Sequence, residues 1–394
     1  MTLAERYVAL AFRVGKHEPE LVENYYGPPE LAAAVDAEEP LEPAQLVEDA
    51  RSLLGDLELQ RAAWLAGQTR ALLTTARRLA GERFSYADEV EGTFGIRPRW
   101  YDEAGYERAQ ALLDEALPGS GDVRVRFARW FAQTAIAPQK ILPALQAVVS
   151  ELRARTEALV GLPEGESFEL ELVTGERWFG FNRNLGGLRS RISINTDLPF
   201  PAGDLAYFAA HESYPGHHTD GAWKEQVLVR ERGQLEVTMT LYGPQAVLAE
   251  GVAELGADLV LEDGGQELVA CQLRRLGIDY DPEVGARVFE ARRLLRTVSS
   301  NGALLLHERG ASVVEARDYV RRWSLQPEDR VEKMIANVRD RAFPGYVHCY
   351  PEGRRLCAAF VRDDPARFKR LLVEQWLPSD LSSAAAGCRS HRRA

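Results

Sequence analysis

His211, Glu212, His217 and His218 fall within eight consecutive residues, HESYPGHH, in a chain that has only seven histidines. Neutral imidazoles are common zinc ligands. A glutamate directly after the first histidine is placed as in H-E-x-x-H enzymes, where it takes a proton from water on the metal. Zinc lowers the pKa of such water to about 7 and polarises the carbonyl under attack. The chemistry implied is Zn2+-dependent hydrolysis of a peptide or amide bond, with Glu212 as general base. Manganese, iron and cobalt fit similar ligands.

The spacing, however, is not H-E-x-x-H. On a regular helix His217 lies about 240° around the axis from His211, while His218 lies within about 20° but about 10 Å along it. Pro215 and Gly216 relieve the mismatch. Proline removes a helical N–H and clashes with the preceding turn, and glycine tolerates a bulge, so the helix can distort just before His217. His217 is therefore the expected second ligand. His218 is expected to orient a ligand or touch substrate, and an exchange of the two roles stays open. An open tetrahedral site needs a third protein ligand. Glu250 is the candidate, at the start of EGVAELGADL, where Gly251 would let another backbone, or the metal helix itself, pack closely. Glu254, one turn later on the same face, is either an alternate ligand or a partner for a ligand's second nitrogen.

These two segments, AHESYPGHH and AEGVAELGADL, resemble the bacterial family catalogued as "domain of unknown function 885", whose members carry H-E-x-Y-P-G-H-H and a later E-G-x-A. That family is regarded as similar to gluzincin-type zinc metallopeptidases. The likeness extends through WFGFNRNLGGLRSRISINTDLP, NGALLLHERGASVVEARDYV and FPGYVHCYPEGRRL. It implies zinc on His211, His217 and Glu250, with Glu212 as base. One departure is Val252, where family members often carry an aromatic residue.

Peptide hydrolysis passes through a tetrahedral oxyanion that needs a donor beside the metal. Tyr346, His348 and Tyr350 alternate in GYVHCYPEG, and helical gluzincins similarly draw a late His or Tyr into the cleft. Tyr350 is the first choice and His348 the next, against a buried aromatic cluster as the plain alternative. Arg341 and Arg354 bracket this segment and could grip a substrate carboxylate, although surface positions are the more ordinary fate. His307, at the end of an apolar run, is read as a structural helix terminus. Asn182, Arg183 and Asn195 lie on a β segment whose edge could pair with an extended peptide, with turn and surface roles equally open.

The elements that must position these residues follow from periodicity. To about residue 160, apolar residues recur at three- and four-residue spacing, as in Leu46, Ala50, Leu53 and Leu54, with breaks at Gly27-Pro28-Pro29, Pro118-Gly119-Ser120-Gly121 and Pro163. FELELVTG alternates like a strand, and the following segment reads as two strands around Gly186-Gly187. Helical pattern then returns. The expected fold is mainly α, a multi-helix zincin-like metallopeptidase with a small β-sheet beside the metal-binding helix. The expected divisions are a helical lobe at 1–163, a metal-binding lobe at 164–380 and a disordered tail at 381–394.

Composition, at 394 residues, 45% hydrophobic and 27% charged, provides for a substantial core. A net charge of −11 argues against a nucleic-acid partner, and no apolar stretch approaches the roughly 20 residues that span a bilayer. The charged N-terminus does not read as a signal peptide, so a cytoplasmic protein is expected. Four cysteines without a C-x-x-C pair suggest neither a disulfide framework nor a cysteine zinc site. The expected partner is a peptide or small amide substrate. Alternatives are a metal-dependent amidase or esterase on a non-peptide substrate, and a non-catalytic helical binding protein. Glu212 speaks against the last, since a structural zinc site closed by four protein ligands needs no base.

Overall fold

In the computed structural model, residues 1–60, 62–262, 264–339 and 345–383 are described. The chain is mainly helical with small sheets. Helices form where the spacing predicts them: Leu46, Ala50, Leu53 and Leu57 bury one face of Pro43–Leu59. Prolines stand at the first position of Pro43–Leu59, Pro138–Val160, Pro244–Leu261 and Pro282–Leu295, where a missing N–H costs nothing. Thr2 and Ser312 close capping boxes with Glu5 and Glu315. No helix among the described residues is long and apolar enough to cross a membrane.

The expected sheet is present. Arg189–Asn195 is its middle strand, parallel to Ser167–Val173 and antiparallel to Gly180–Gly186. The tight reversal at residues 186–188 takes left-handed backbone at Gly186, Gly187 and Leu188, which glycine adopts without steric cost. Gly180–Gly186 is therefore an edge strand. A second pairing joins Val22–Tyr25 near the N-terminus to Met239–Leu241.

The hydrophobic cores do not divide at residue 163. One cluster joins Tyr106, Leu113 and Leu152 to Ile192, Leu205 and Ile335. A second joins Tyr86 and Phe94 to Val247, Leu255 and Phe368, and a third joins Tyr7 and Leu46 to Met239 and Leu241. The expected two-lobe boundary is thus crossed by every core, because periodicity identifies an apolar face without identifying its partner. The first three residues of the expected tail are not disordered: residues 378–383 are helical and Leu381 is fully buried. The remainder of that tail, 384–394, lies outside the described residues.

One helix crossing sets the site's geometry. A Cβ on Gly251 would stand 2.5 Å from the carbonyl of Gly353, and a Cβ on Gly353 would stand 2.0 Å from the carbonyl of Val247. Helices Pro244–Leu261 and Cys349–Val361 therefore meet backbone to backbone, as Gly251 led us to expect.

Candidate metal centre

The first histidine helix, Leu205–Glu212, stops at Ser213, and a second, His217–Lys224, begins five residues after Glu212 ends the first. In the turn between them the Gly216 N–H donates to the carbonyl of Ala210 at 2.9 Å. A Cβ at Gly216 would sit 1.8 Å from the carbonyl oxygen of His211, so only glycine fits this approach. The turn folds His217 back on His211, with ring centroids 4.7 Å apart and planes at 89°.

Glu250 projects from its helix into the same space, only 4% exposed. Its Oε2 lies 3.3 Å from Nε2 of His211 and 3.8 Å from Nε2 of His217. One ligand atom from each of His211, His217 and Glu250 falls within 4.8 Å of the others. Oε2 of Glu250 has no hydrogen-bond partner among the described residues. A buried carboxylate oxygen left unpaired between two imidazoles costs free energy that a cation would recover. The donor set of two histidines and one glutamate therefore fits a zinc ion.

The surroundings hold these groups in place. Oε1 of Glu250 accepts a hydrogen bond from the Tyr346 hydroxyl. Behind His211, Glu254 stands 3.9 Å from Nδ1, on the side away from Glu250. Glu254 is itself bound by the hydroxyl of Tyr207 and the guanidinium of Arg296. At that distance it makes no hydrogen bond to Nδ1, which has no partner among the described residues, and it acts on the ring through its negative charge, which favours the protonated form. Burial and the neighbouring positive charges hold the His217 imidazole neutral down to about pH 4, against the pull of Glu250. For His211, burial lowers the pKa but the negative charge of Glu250, 3.3 Å from Nε2, outweighs it and raises it to about 9.

Glu212 is buried beside this triad with one carboxylate oxygen unpartnered. Burial pushes its carboxyl up to about 7, with His211 opposing and Glu250 adding to the shift. Its carbonyl accepts from Nδ2 of Asn182 on the edge strand at 2.8 Å, which ties the sheet to the histidine helix. His211, Glu212, His217, Glu250, Tyr346 and Tyr350 all line one cavity of about 530 Å³, within the range of small-ligand pockets. The Tyr350 ring stacks on His211 at 6.3 Å, is 36% exposed, and its hydroxyl has no partner among the described residues. Val252, the departure from the family pattern, is also on this wall.

Two expected residues are placed elsewhere. His348 is fully buried, and its Nε2 is 2.9 Å from the Tyr86 hydroxyl; it does not line the cavity. Two residues from each of Tyr346 and Tyr350, it turns into the core, while both tyrosines line the cavity, as do Tyr26 and Tyr242. His218 is also buried, with Nδ1 2.7 Å from Ser190 Oγ and Nε2 2.7 Å from Glu166 Oε2. Glu166 further accepts from Tyr214 at 2.6 Å and from Arg153 at 2.8 Å. This Ser190–His218–Glu166 arrangement has triad-like connectivity, yet none of the three lines the cavity. It braces the second histidine helix against the sheet.

Of the remaining candidates, Asn182 and Arg183 line the cavity, whereas Asn195 binds the carbonyls of Glu176 and Trp178. Arg354 pairs with Asp258 at 2.7 Å, and Arg341 lies outside the described residues. His307 binds the carbonyl of Val338 at 2.7 Å at its helix end, the structural role expected. Glu166, Ser190, Tyr207 and Arg296 had no motif to mark them; each lies 28 to 52 positions in sequence from the His218 or Glu254 side chain it binds.

No family model matches the chain, and no curated protein matches it. Solved structures do. One is described as a "putative lipoprotein" from Colwellia psychrerythraea, 14% identical, with a TM-score of 0.57 over 89% of this chain and 68% of that one. Another, from Shewanella oneidensis and described as of unknown function, is 13% identical, with a TM-score of 0.52 over 88% of this chain and 67% of that one. These likenesses concern the fold alone.

Proposed function

We propose that this chain is a zinc-dependent hydrolase of zincin-like type that cleaves peptide bonds in short peptides. The observation that carries the reading is the convergence of His211, His217 and Glu250, with an unsatisfied buried carboxylate oxygen at its centre, beside the buried Glu212. The resemblance to the gluzincin-like family of unknown function supports it through the same residues. Zinc bound there supplies a Lewis acid that polarises the substrate carbonyl and acidifies water.

The chain's own residues do the rest. Glu212, with its carboxyl raised to about 7, is matched to accept a proton from the attacking water and return it to the leaving amine near neutral pH. Tyr350 donates its free hydroxyl to the developing oxyanion, with Tyr346 engaged in holding Glu250. Glu254, gripped by Tyr207 and Arg296, keeps a negative charge behind the His211 ring and raises its basicity.

The test is hydrolysis of a library of short peptides by tag-free protein and by Glu212→Gln, each assayed for zinc. Cleavage by the wild type, lost by more than about 100-fold in Glu212→Gln at unchanged zinc content, is the expected result. Cleavage that survives in Glu212→Gln, or that does not depend on metal, contradicts the reading.

A further inference from the structure

Glu23 stands on the wall of the cavity that also holds Glu212 and Glu250. Its strand, Val22–Tyr25, pairs with Met239–Leu241 so that Val22 faces Leu241 and Asn24 faces Thr240, which leaves Glu23 as the extra residue of a β-bulge. A bulge frees that residue from the ladder and re-aims its side chain. The next residue anchors the bulge: Asn24 Nδ2 donates to the carbonyl of Asn184 on the sheet's edge strand at 3.0 Å.

Apart from Glu212 and Glu250, the other acids on this wall are an exposed Glu176 and three that are neutralised within the protein. Glu20 pairs with Arg177 at 3.1 Å, Asp220 with Lys224 at 2.7 Å, and Glu374 with Arg370 at 2.9 Å. Glu23 is half-buried and has no hydrogen bond or ion pair among the described residues. Burial, then the charges of Glu250 and Glu212, push its carboxyl up to about 8, with Arg183 opposing. Oε2 of Glu212 and Oε2 of Glu250, buried and unpartnered, lie on the same cavity. A metal ion would answer for Glu250, with Glu212 as the base beside it. It leaves Glu23 without a cation in a confined space, a deficit that a bound ligand can fill.

Resting on the hydrolase reading of this cavity, we infer that Glu23 receives a protonated amine of the substrate, supplied by an N-terminal α-ammonium or by a lysine-type side chain. An ammonium group brings three donors and no acceptor, which suits a carboxylate with both oxygens free. Hydrogen bonds between opposite charges are the stronger kind. Because the metal cluster and Glu23 share one cavity of about 530 Å³, the amine belongs to a short peptide whose scissile bond is close to it.

The test is calorimetric binding of defined probes to zinc-loaded wild type and Glu23→Gln: trialanine against N-acetyl-trialanine, and N-acetyl-Ala-Lys-Ala-amide against its norleucine counterpart. Wild type is expected to bind one charged probe about 10- to 100-fold more tightly than its neutral partner. Glu23→Gln is expected to lose that preference at unchanged zinc content. Preference for trialanine assigns the α-ammonium, and preference for the lysine peptide assigns the side chain. Equal binding of charged and neutral probes by wild type, no binding of either charged probe, or a preference that persists in Glu23→Gln overturns the inference. The comparison within wild type stands even if the variant is unstable. Turnover is measured separately, so absence of hydrolysis counts against the hydrolase reading while the amine preference is still read from binding.

Discussion

Three side chains in and around the site each carry a prediction. Tyr350→Phe removes an unpartnered hydroxyl beside His211 and is expected to lower kcat by about 100- to 1000-fold with zinc retained, measured by steady-state kinetics and elemental analysis. Glu254→Gln weakens the carboxylate behind His211, so zinc affinity is expected to fall by about 10- to 100-fold in chelator competition. His218→Ala, by contrast, is expected to keep one zinc per chain, because His218 is held by Ser190 and Glu166 away from the cavity. The choice between His217 and His218 shows where sequence stops. Helical projection disfavours both, and the tight turn at Gly216 brings His217 onto His211. His348 shows the same limit in reverse, since alternation in GYVHCYPEG marks a patterned segment without saying which side faces the cleft.

At the scale of elements, the site depends on a helix crossing and a buried brace. Gly353→Ala would drive a Cβ against the carbonyl of Val247. The helices must then separate, which is expected to destabilise the protein by about 1 to 3 kcal/mol in denaturant unfolding and to weaken zinc binding, because Glu250 and Tyr346 sit on opposite sides of that contact. Gly251 was legible as a close-packing position from its place in EGVAELGADL, but its partner Gly353, about a hundred residues later, was not. The brace predicts a pH dependence. Burial raises the Glu166 carboxyl, but hydrogen bonds from His218, Tyr214 and Arg153 outweigh it and lower it from 4.5 to about 2. A depressed carboxyl stabilises the fold above its unfolded pKa and loses that contribution as pH falls through its folded value. The stability advantage of wild type over Glu166→Gln is therefore expected to be full above about pH 5 and to shrink between pH 4.5 and 2, read from thermal midpoints. An advantage that does not change over this range would contradict the brace.

Across the whole molecule, the strand Val22–Tyr25, the edge strand Gly180–Gly186, the two histidine helices and the crossing at Gly251 enclose one cavity. Helical content and the small sheet were legible because apolar spacing and strand alternation are local properties of the chain. The joining of residues 1–163 to later residues in all three cores was not, because side-chain packing across hundreds of positions leaves no local pattern. The most direct measurement is metal content by elemental analysis of protein purified without a chelating tag, as wild type and as His211→Ala, His217→Ala, Glu250→Ala and Glu212→Gln. The account predicts about one zinc per wild-type chain, lost in the first three variants and kept in Glu212→Gln. Wild type that holds no metal after reconstitution, or zinc that persists in all three ligand variants, would contradict it.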